Sequence, residues 1–465
     1  MNNLKTDKLN KFDKVLFCAA FLFAFFFMSH PDLWETANHS YIFLESLFGG
    51  KILDFYKIVR RHENTYYYIN GANYNILVYA LFGIRELPVF VFNKIFGLAM
   101  NEAVIIYAAK LVSVLFFVLC GFAVKGIARE CGLKDSDCSA AALFFLFNPI
   151  AFYSPMAMGQ YDSICLFFTL WAIVFYMRGD LTKFSLITGA AVCCKFFALL
   201  TFIPLLLLSE KKILKIAKYA LMSLWLYLPT ALLYMGRRGD SGAFTKIMAE
   251  RMFALTFDTG FKSASVFLTF YAVLVFFAFL YCPAESGRKY TALWLCTAVF
   301  GVLFACIYWH PQWLILLIPF TVLTTFLQKN KMPFFLADLV LRGGFFLTRY
   351  IYYPNQTGAN LFVGGILSHV FGLGMGERWQ PLSRFIGLIP YADVIMPVMF
   401  VGGIAVNLIF KFKTGENSLA DILTSAEKYD RLPLKVCGYA IFIIGFIGMW
   451  LAPSVLELIN SYGII

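Results

Sequence analysis

Residues 184–208 read FSLITGAAVCCKFFALLTFIPLLLL, an apolar run in which Lys195 alone carries a charge. As one straight helix the run is long enough to cross a bilayer, since about 20 apolar residues span a ~30 Å hydrocarbon core. That reading puts Lys211, Lys212, Lys215 and Lys218 outside, against the excess of Lys and Arg on cytoplasmic loops. Folded as a hairpin, with Lys195 near the turn and Pro204 in the return arm, the run brings Lys183 and those four lysines to the same cytoplasmic side. Each arm is then short, so the hairpin dips from the inner side and stops within the bilayer. The hairpin is the expected arrangement. It places one lysine inside the membrane, where a charge needs a partner and marks a functional site by default.

The rest of the chain fits that setting. Hydrophobic residues are 60% and charged residues 14% of 465, where a soluble globular chain carries about 25% charged residues. With a mean hydropathy of +0.73 the class is all-α, a polytopic membrane protein. The net charge of +12 suits cytoplasmic loops beside anionic lipid and argues against a nucleic-acid partner. The 11 cysteines lie mostly in apolar runs and form no CxxC pair, so no disulfide framework or cysteine metal site is expected. No metal and no cofactor is assigned.

Topology follows from span length and basic residues. Lys5, Lys8, Lys11 and Lys14 hold the N-terminus inside, and Val15–Met28 looks like a retained first helix. The external segment runs from residue 29 to about residue 103. Within it Ile76–Phe96 is apolar, but Arg85, Glu86 and Pro88 favour two short helices against the outer surface. Further spans are expected at Val104–Val124, Ala140–Tyr153, Ser163–Met177, Tyr219–Met235, Ser263–Tyr281, Thr291–Ile307, Trp313–Phe326, Phe334–Tyr350, Ala392–Phe410 and Val436–Leu451. The total is about 13, with the C-terminus outside. Gly236–Lys262 is a basic external loop. No sequence repeat and no soluble domain is evident.

The first external stretch, residues 29–56, reads SHPDLWETANHSYIFLESLFGGKILDFY. Over Asp32–Phe48 as one helix, Asp32, Glu35 and His39 share a face at i, i+3 and i+7. Tyr41, Leu44 and Phe48 form an apolar stripe. Such a helix is expected to lie on the bilayer surface with its acidic face toward water or a polar cavity. Two carboxylates and an imidazole can do general-base work; equally, the acids can merely offset Lys51 and Lys57. The same topology puts Gln160, Asp162, His310 and Gln312 on the outer side, with Lys195 facing them from the membrane. Tyr66, Tyr67, Tyr68, Trp309, Trp313 and Trp379 fall near that level, where aromatic rings suit the interface and stack on sugars. A lone His at a helix end is usually structural, and an aromatic belt is common to membrane proteins. Lys195 is the strongest single signal.

These residues resemble a family. NPIAFYSPMAMGQYDSICLFF (148–168) followed by SLITGAAVCCKFFALLTFIPLLLL (185–208) is similar to the Asn-Pro, Gly-Gln-x-Asp and Gly-x-x-x-x-x-Lys pattern of polyprenyl-phosphate-dependent mannosyltransferases and their bacterial relatives, which have the GT-C fold. The acidic first external loop running to Gly49-Gly50 and Phe55-Tyr56 looks alike, as does HPQWLILLIPF (310–320). The resemblance covers roughly residues 15–330. It implies a GT-C-like transmembrane module over 1–330, including the external loop 29–103, with variable helices over 331–465. The order and spacing of the motifs carry it. The chain departs from the family in offering Asp32 and Glu35 at i and i+3 rather than a single Asp or an Asp-x-Asp pair.

The resemblance further implies transfer of a hexose such as mannose, with inversion, from a polyprenyl-phosphate donor to a lipid, glycan or protein acceptor. The site would lie on the external face of a multi-pass plasma membrane of bacterial kind. Asp32 is the first candidate base and Glu35 the second. Lys195 would meet the leaving phosphate, helped by His39, Arg251 or Arg237. Gln160, Asp162, His310 and Gln312 would bind hydroxyls, and Asp162 could also pair with Lys195. A transporter or flippase of a lipid-linked sugar is the main alternative; it would favour inverted repeats and midplane sites. A polymerase or ligase of lipid-linked glycans would favour large external loops rich in Arg and His.

Overall fold

The computed structural model describes residues 11–27, 30–61, 71–98, 102–237, 246, 249–352, 389–414 and 417–418. Val436–Leu451, Tyr66, Tyr67, Tyr68 and Trp379 lie outside them. The regular structure among the described residues is helical apart from two short strand pairs. In order come α1 (Lys11–Phe27), α2 (Pro31–Phe48), α3 (Phe55–Arg61), α4 (Ile76–Phe96), α5 (Glu102–Glu130), α6 (Asp135–Leu146), α7 (Pro149–Tyr153), α8 (Asp162–Met177), α9 (Leu181–Cys194) and α10 (Phe197–Ser209). Later helices cover Ile213–Met222, Tyr227–Leu233, Val266–Leu280, Glu285–Cys306, Ile318–Phe326, Met332–Tyr352 and Ala392–Phe410. Among the described residues four helices are long and apolar enough to cross a membrane, or six if two bent pairs each count as one span. The chain is a multi-pass membrane protein. The expected span at α8 is shorter than a bilayer, and α9 and α10 are short, as expected of the hairpin arms.

The hairpin is present. Phe184 and Phe202 would stand about 27 Å apart along an unbroken helix, yet their ring centroids are 5.0 Å apart. The helix breaks because Lys195 adopts an extended backbone, φ −154° and ψ 140°. At the open end of the hairpin the Ser209 hydroxyl donates to Tyr176 Oη at 2.7 Å, next to the end of α8. Cysteines placed at Lys183 and Lys211 are therefore expected to react with an impermeant thiol reagent from one and the same membrane face. Reaction from opposite faces would contradict the fold-back.

Two expectations for the first external segment are corrected. Residues 76–96 form one helix, not two. Pro88 removes only one helical hydrogen bond, Arg85 is exposed, and Glu86 is fully buried in the packed face. Neither Glu86 carboxylate oxygen is hydrogen-bonded among the described residues. α2 does not lie on a surface. It is buried along most of its length, packed on α4 and α5. Its polar side chains tolerate this because Thr36 donates to the Asp32 carbonyl at 2.9 Å and Ser40 to the Thr36 carbonyl at 2.7 Å. Hydroxyls satisfied within their own helix do not need water.

Two expected spans are bent. Ala140–Tyr153 is split between α6 and α7, which meet at 53°. Asn148 precedes a proline, which disfavours helical backbone, and its Oδ1 caps the new helix by accepting from Ile150 N at 3.0 Å. Tyr219–Met235 is likewise broken, at 56°, between Ile213–Met222 and Tyr227–Leu233.

The molecule has two chemically distinct ends. At one, Glu130 at the end of α5 accepts from Arg178 Nε at 2.7 Å, and its carbonyl accepts from Lys289. Lys211 donates to the carbonyls of Ala278 and Phe279. Lys331 lies 3.6 Å from Asp137. This basic end gathers the loops that the charge pattern assigns to the cytoplasm. α8 runs from it, through about 24 Å, to Asp162 at the other end.

Candidate functional site

At the opposite end several parts of the chain converge. The first is the start of α2. His30 is the N-cap, with Nδ1 accepting from Asp32 N at 3.2 Å, and Pro31 follows at N1. Proline suits that position because its φ is helical and no N–H is lost there. Asp32 thus enters the first turn, where the helix dipole favours a carboxylate.

The second is the turn before α8. Residues 154–158 form a wide helical turn ended by Gly159 at φ 61°, ψ 20°. A Cβ at Gly159 would stand 2.6 Å from Leu33 Cδ1, so this glycine lets α2 seat against the turn. The Ser113 hydroxyl donates to the Gly159 carbonyl at 2.6 Å and fixes it. Gly159→Ala adds left-handed strain of about 1–3 kcal/mol to that clash. Melting temperature and turnover are expected to fall together, with Leu33→Ala recovering only the part due to the clash. An unchanged melting temperature for Gly159→Ala would mean that α2 does not rest here.

The third and fourth segments supply an ion pair. Asp162 is the first residue of α8 and Lys195 the C-cap of α9. An anion at a helix N-terminus and a cation at a C-terminus are each favoured by the local dipole. Lys195 Nζ lies 2.5 Å from Asp162 Oδ1, with the two side chains 9% and 0% exposed. Asp162 Oδ2 is buried with no hydrogen-bond partner among the described residues. The Lys195 ammonium also sits 4.8 Å from the Tyr161 ring centre and 5.7 Å from that of Trp313.

The fifth is the turn 308–313, with Arg251 over it. The Arg251 guanidinium lies 5.7 Å from the Tyr308 ring and 5.9 Å from Trp313. Trp313 therefore has a lysine and an arginine within cation–π reach. The His310 ring meets Trp313 edge-on at 5.0 Å. The Tyr74 ring packs edge-on to Tyr161 at 4.4 Å, with its backbone pinned by the hydroxyls of Tyr56 and Tyr79.

Charge couples these groups. Burial raises the Asp32 carboxyl, but His30, His310 and Lys195 together outweigh it and hold Asp32 below its ordinary value. Asp32 is ionised at neutral pH although only 38% of its side chain is exposed. Burial, then Arg251, pushes His310 down to about 4, so its imidazole is neutral near pH 7 and serves hydrogen bonding rather than charge. Tyr74 is raised, by burial first and then by Asp32, Asp162 and Glu35.

Asp32, Asp162, Lys195, His310 and Arg251 are thus together, and Glu35 is close enough to act on Tyr74. Gln160 and Gln312 are buried beside Tyr161 and Trp313, and Gln312 Oε1 has no hydrogen-bond partner among the described residues. Three further residues singled out in the sequence have contacts elsewhere. His39 packs edge-on against Tyr79 at 5.6 Å in the core of α2 and α4. Trp309 stacks on Phe345 at 5.6 Å and is buried, so it is not available to a sugar. Arg237 reaches the Leu53 carbonyl at 3.5 Å. The sequence reading missed His30, Tyr74 and Tyr161. Tyr161 is the variable position of Gly-Gln-x-Asp, and His30 stands directly before the helix-starting proline.

No family model and no curated protein matches the chain. Among solved structures it is similar to ArnT from Cupriavidus metallidurans, crystallised bound to undecaprenyl phosphate, with 14% identity over 95% of this chain and 77% of that one, at a TM-score of 0.44. A likeness at that level fixes neither activity nor site residues.

Proposed function

We propose that the chain is a membrane glycosyltransferase that moves a sugar, a hexose such as mannose, from a polyprenyl-phosphate donor to a lipid, glycan or protein acceptor. The reaction takes place at the external face of a plasma membrane of bacterial kind. The observation that carries this reading is the meeting, at the end remote from the basic loops, of an ionised Asp32 with Lys195 and Arg251 around Trp313.

Each group has work in such a transfer. Asp32 takes the proton as the acceptor oxygen attacks the anomeric carbon. The bond from that carbon to the phosphate oxygen breaks with its electron pair on the phosphate, and the sugar inverts. The Lys195 ammonium has three donors and gives one to Asp162, so it can also meet the phosphate. Arg251 makes no ion pair among the described residues, and its forked donors suit a phosphate. Glu35 is the second carboxylate within range. Gln160, Asp162 Oδ2, His310 and Gln312 offer hydrogen bonds to sugar hydroxyls.

Undecaprenyl phosphate, titrated into the purified protein in nanodiscs, is expected to raise the melting temperature. Arg251→Ala is expected to weaken that binding by about 10-fold or more, the scale of a lost hydrogen bond to a charged group. Equal stabilisation of wild type and Arg251→Ala would remove Arg251 from the phosphate site. No stabilisation of either would argue against the donor class.

A further inference from the structure

His30 is only 6% exposed, whereas 38% of the Asp32 side chain is exposed. His30 Nδ1 lies 3.2 Å from Asp32 N and 3.4 Å from Asp32 Oδ1. Its Nε2 is buried with no hydrogen-bond partner among the described residues. Capping a helix does not require this. Asn, Asp or Ser caps as well and leaves no ring nitrogen buried and unsatisfied, which carries a penalty. One nitrogen placed between a backbone N–H and a carboxylate can serve two states. Unprotonated, Nδ1 accepts from Asp32 N. Protonated, it donates to Asp32 Oδ1.

We infer that His30 is the proton store behind Asp32, resting on the reading of Asp32 as the base that meets the acceptor. Exposure sets the order: Asp32 is reachable and His30 lies behind it. The acceptor O–H bond breaks, its proton goes to Asp32 Oδ1, and the acceptor oxygen bonds to the anomeric carbon as the phosphate departs with the electron pair. The proton then passes to Nδ1, which gives up its cap and leaves Asp32 a carboxylate. It returns through Asp32 to water after product leaves. The other charged or titratable groups reaching the pair are Lys195 and His310 directly, with Arg251, Glu35, Asp162 and Tyr74 around them. His30 is a positioning residue in this scheme, acting through Asp32.

The test needs no donor to begin. The chain has five histidines, so nitrogen-15 histidine NMR of the full protein in nanodiscs can follow His30, assigned by its loss in His30→Asn. The expected result is protonation of Nδ1 with a midpoint that falls by about one unit or more in Asp32→Asn, as loss of an adjacent opposite charge requires. A midpoint indifferent to Asp32→Asn overturns the proposal. In turnover, His30→Asn keeps a capping side chain and is expected to lower kcat about 10-fold with KM unchanged. It should also move the acid limb of kcat to lower pH, where Asp32 alone sets it. Should His30→Asn not fold, His30→Gly with added imidazole replaces it, and failure of imidazole to restore turnover counts against the store. Wild-type kcat and pH profile in His30→Asn reduce His30 to a cap. An active Asp32→Asn, by contrast, defeats the base reading itself, whatever His30 does.

Discussion

Asp32→Asn is expected to cut turnover by about 10²-fold or more, the usual range for removal of a general base, in a protein that inserts normally and melts only slightly lower at neutral pH. The amide keeps the shape of the side chain and its place in the first turn of α2. It loses the negative charge that faces Lys195, so the main defect is in taking a proton, with a smaller loss of stability at neutral pH. The carboxyl is held below its ordinary value, so its favourable contacts stabilise the fold above that value and are lost as pH falls through the lowered one. Asp32→Asn should therefore remove part of the acid sensitivity of the wild type. Glu35→Gln should cost less. Inactive Glu35→Gln beside near-normal Asp32→Asn would exchange the two roles. Full activity in both would make the start of α2 structural.

The second large effect is at the buried ion pair. Lys195→Met leaves Asp162 buried without its partner, and breaking such a pair typically costs about 3–5 kcal/mol. The single variant is expected to melt lower and to be inactive. Lys195→Met with Asp162→Asn removes both charges and should recover most of the stability, since a buried pair replaced as a whole is often neutral. If Lys195 meets the carrier phosphate, the double variant stays inactive and is stabilised less by undecaprenyl phosphate than the wild type. Recovery of activity along with stability would reduce Lys195 to a counter-ion for Asp162.

What could be read in the sequence was what charge and spacing dictate. The fold-back at Lys195 follows from four lysines that should not face outward. The meeting of Asp162 with Lys195 follows from placing both at the outer ends of short helices. Burial was harder to read. α2 looks amphipathic by composition, but Thr36 and Ser40 satisfy themselves along the helix and so can be packed away. α4 looks broken, but Pro88 is tolerated and Glu86 is buried outright. His39 does share a face with Asp32, yet seven residues carry it about 10 Å down the axis, where Tyr79 covers it. His30 was overlooked because its role depends on two distances around one ring nitrogen, which no spacing rule encodes.

The most direct test is turnover of purified protein in liposomes with a panel of polyprenyl-phosphate sugars, scoring release of free polyprenyl phosphate beside Asp32→Asn. Release of polyprenyl phosphate from one donor in the presence of an acceptor extract, absent with Asp32→Asn, is the predicted result. Movement of an intact donor between leaflets, with no polyprenyl phosphate released from any of them, would contradict it and identify a transporter.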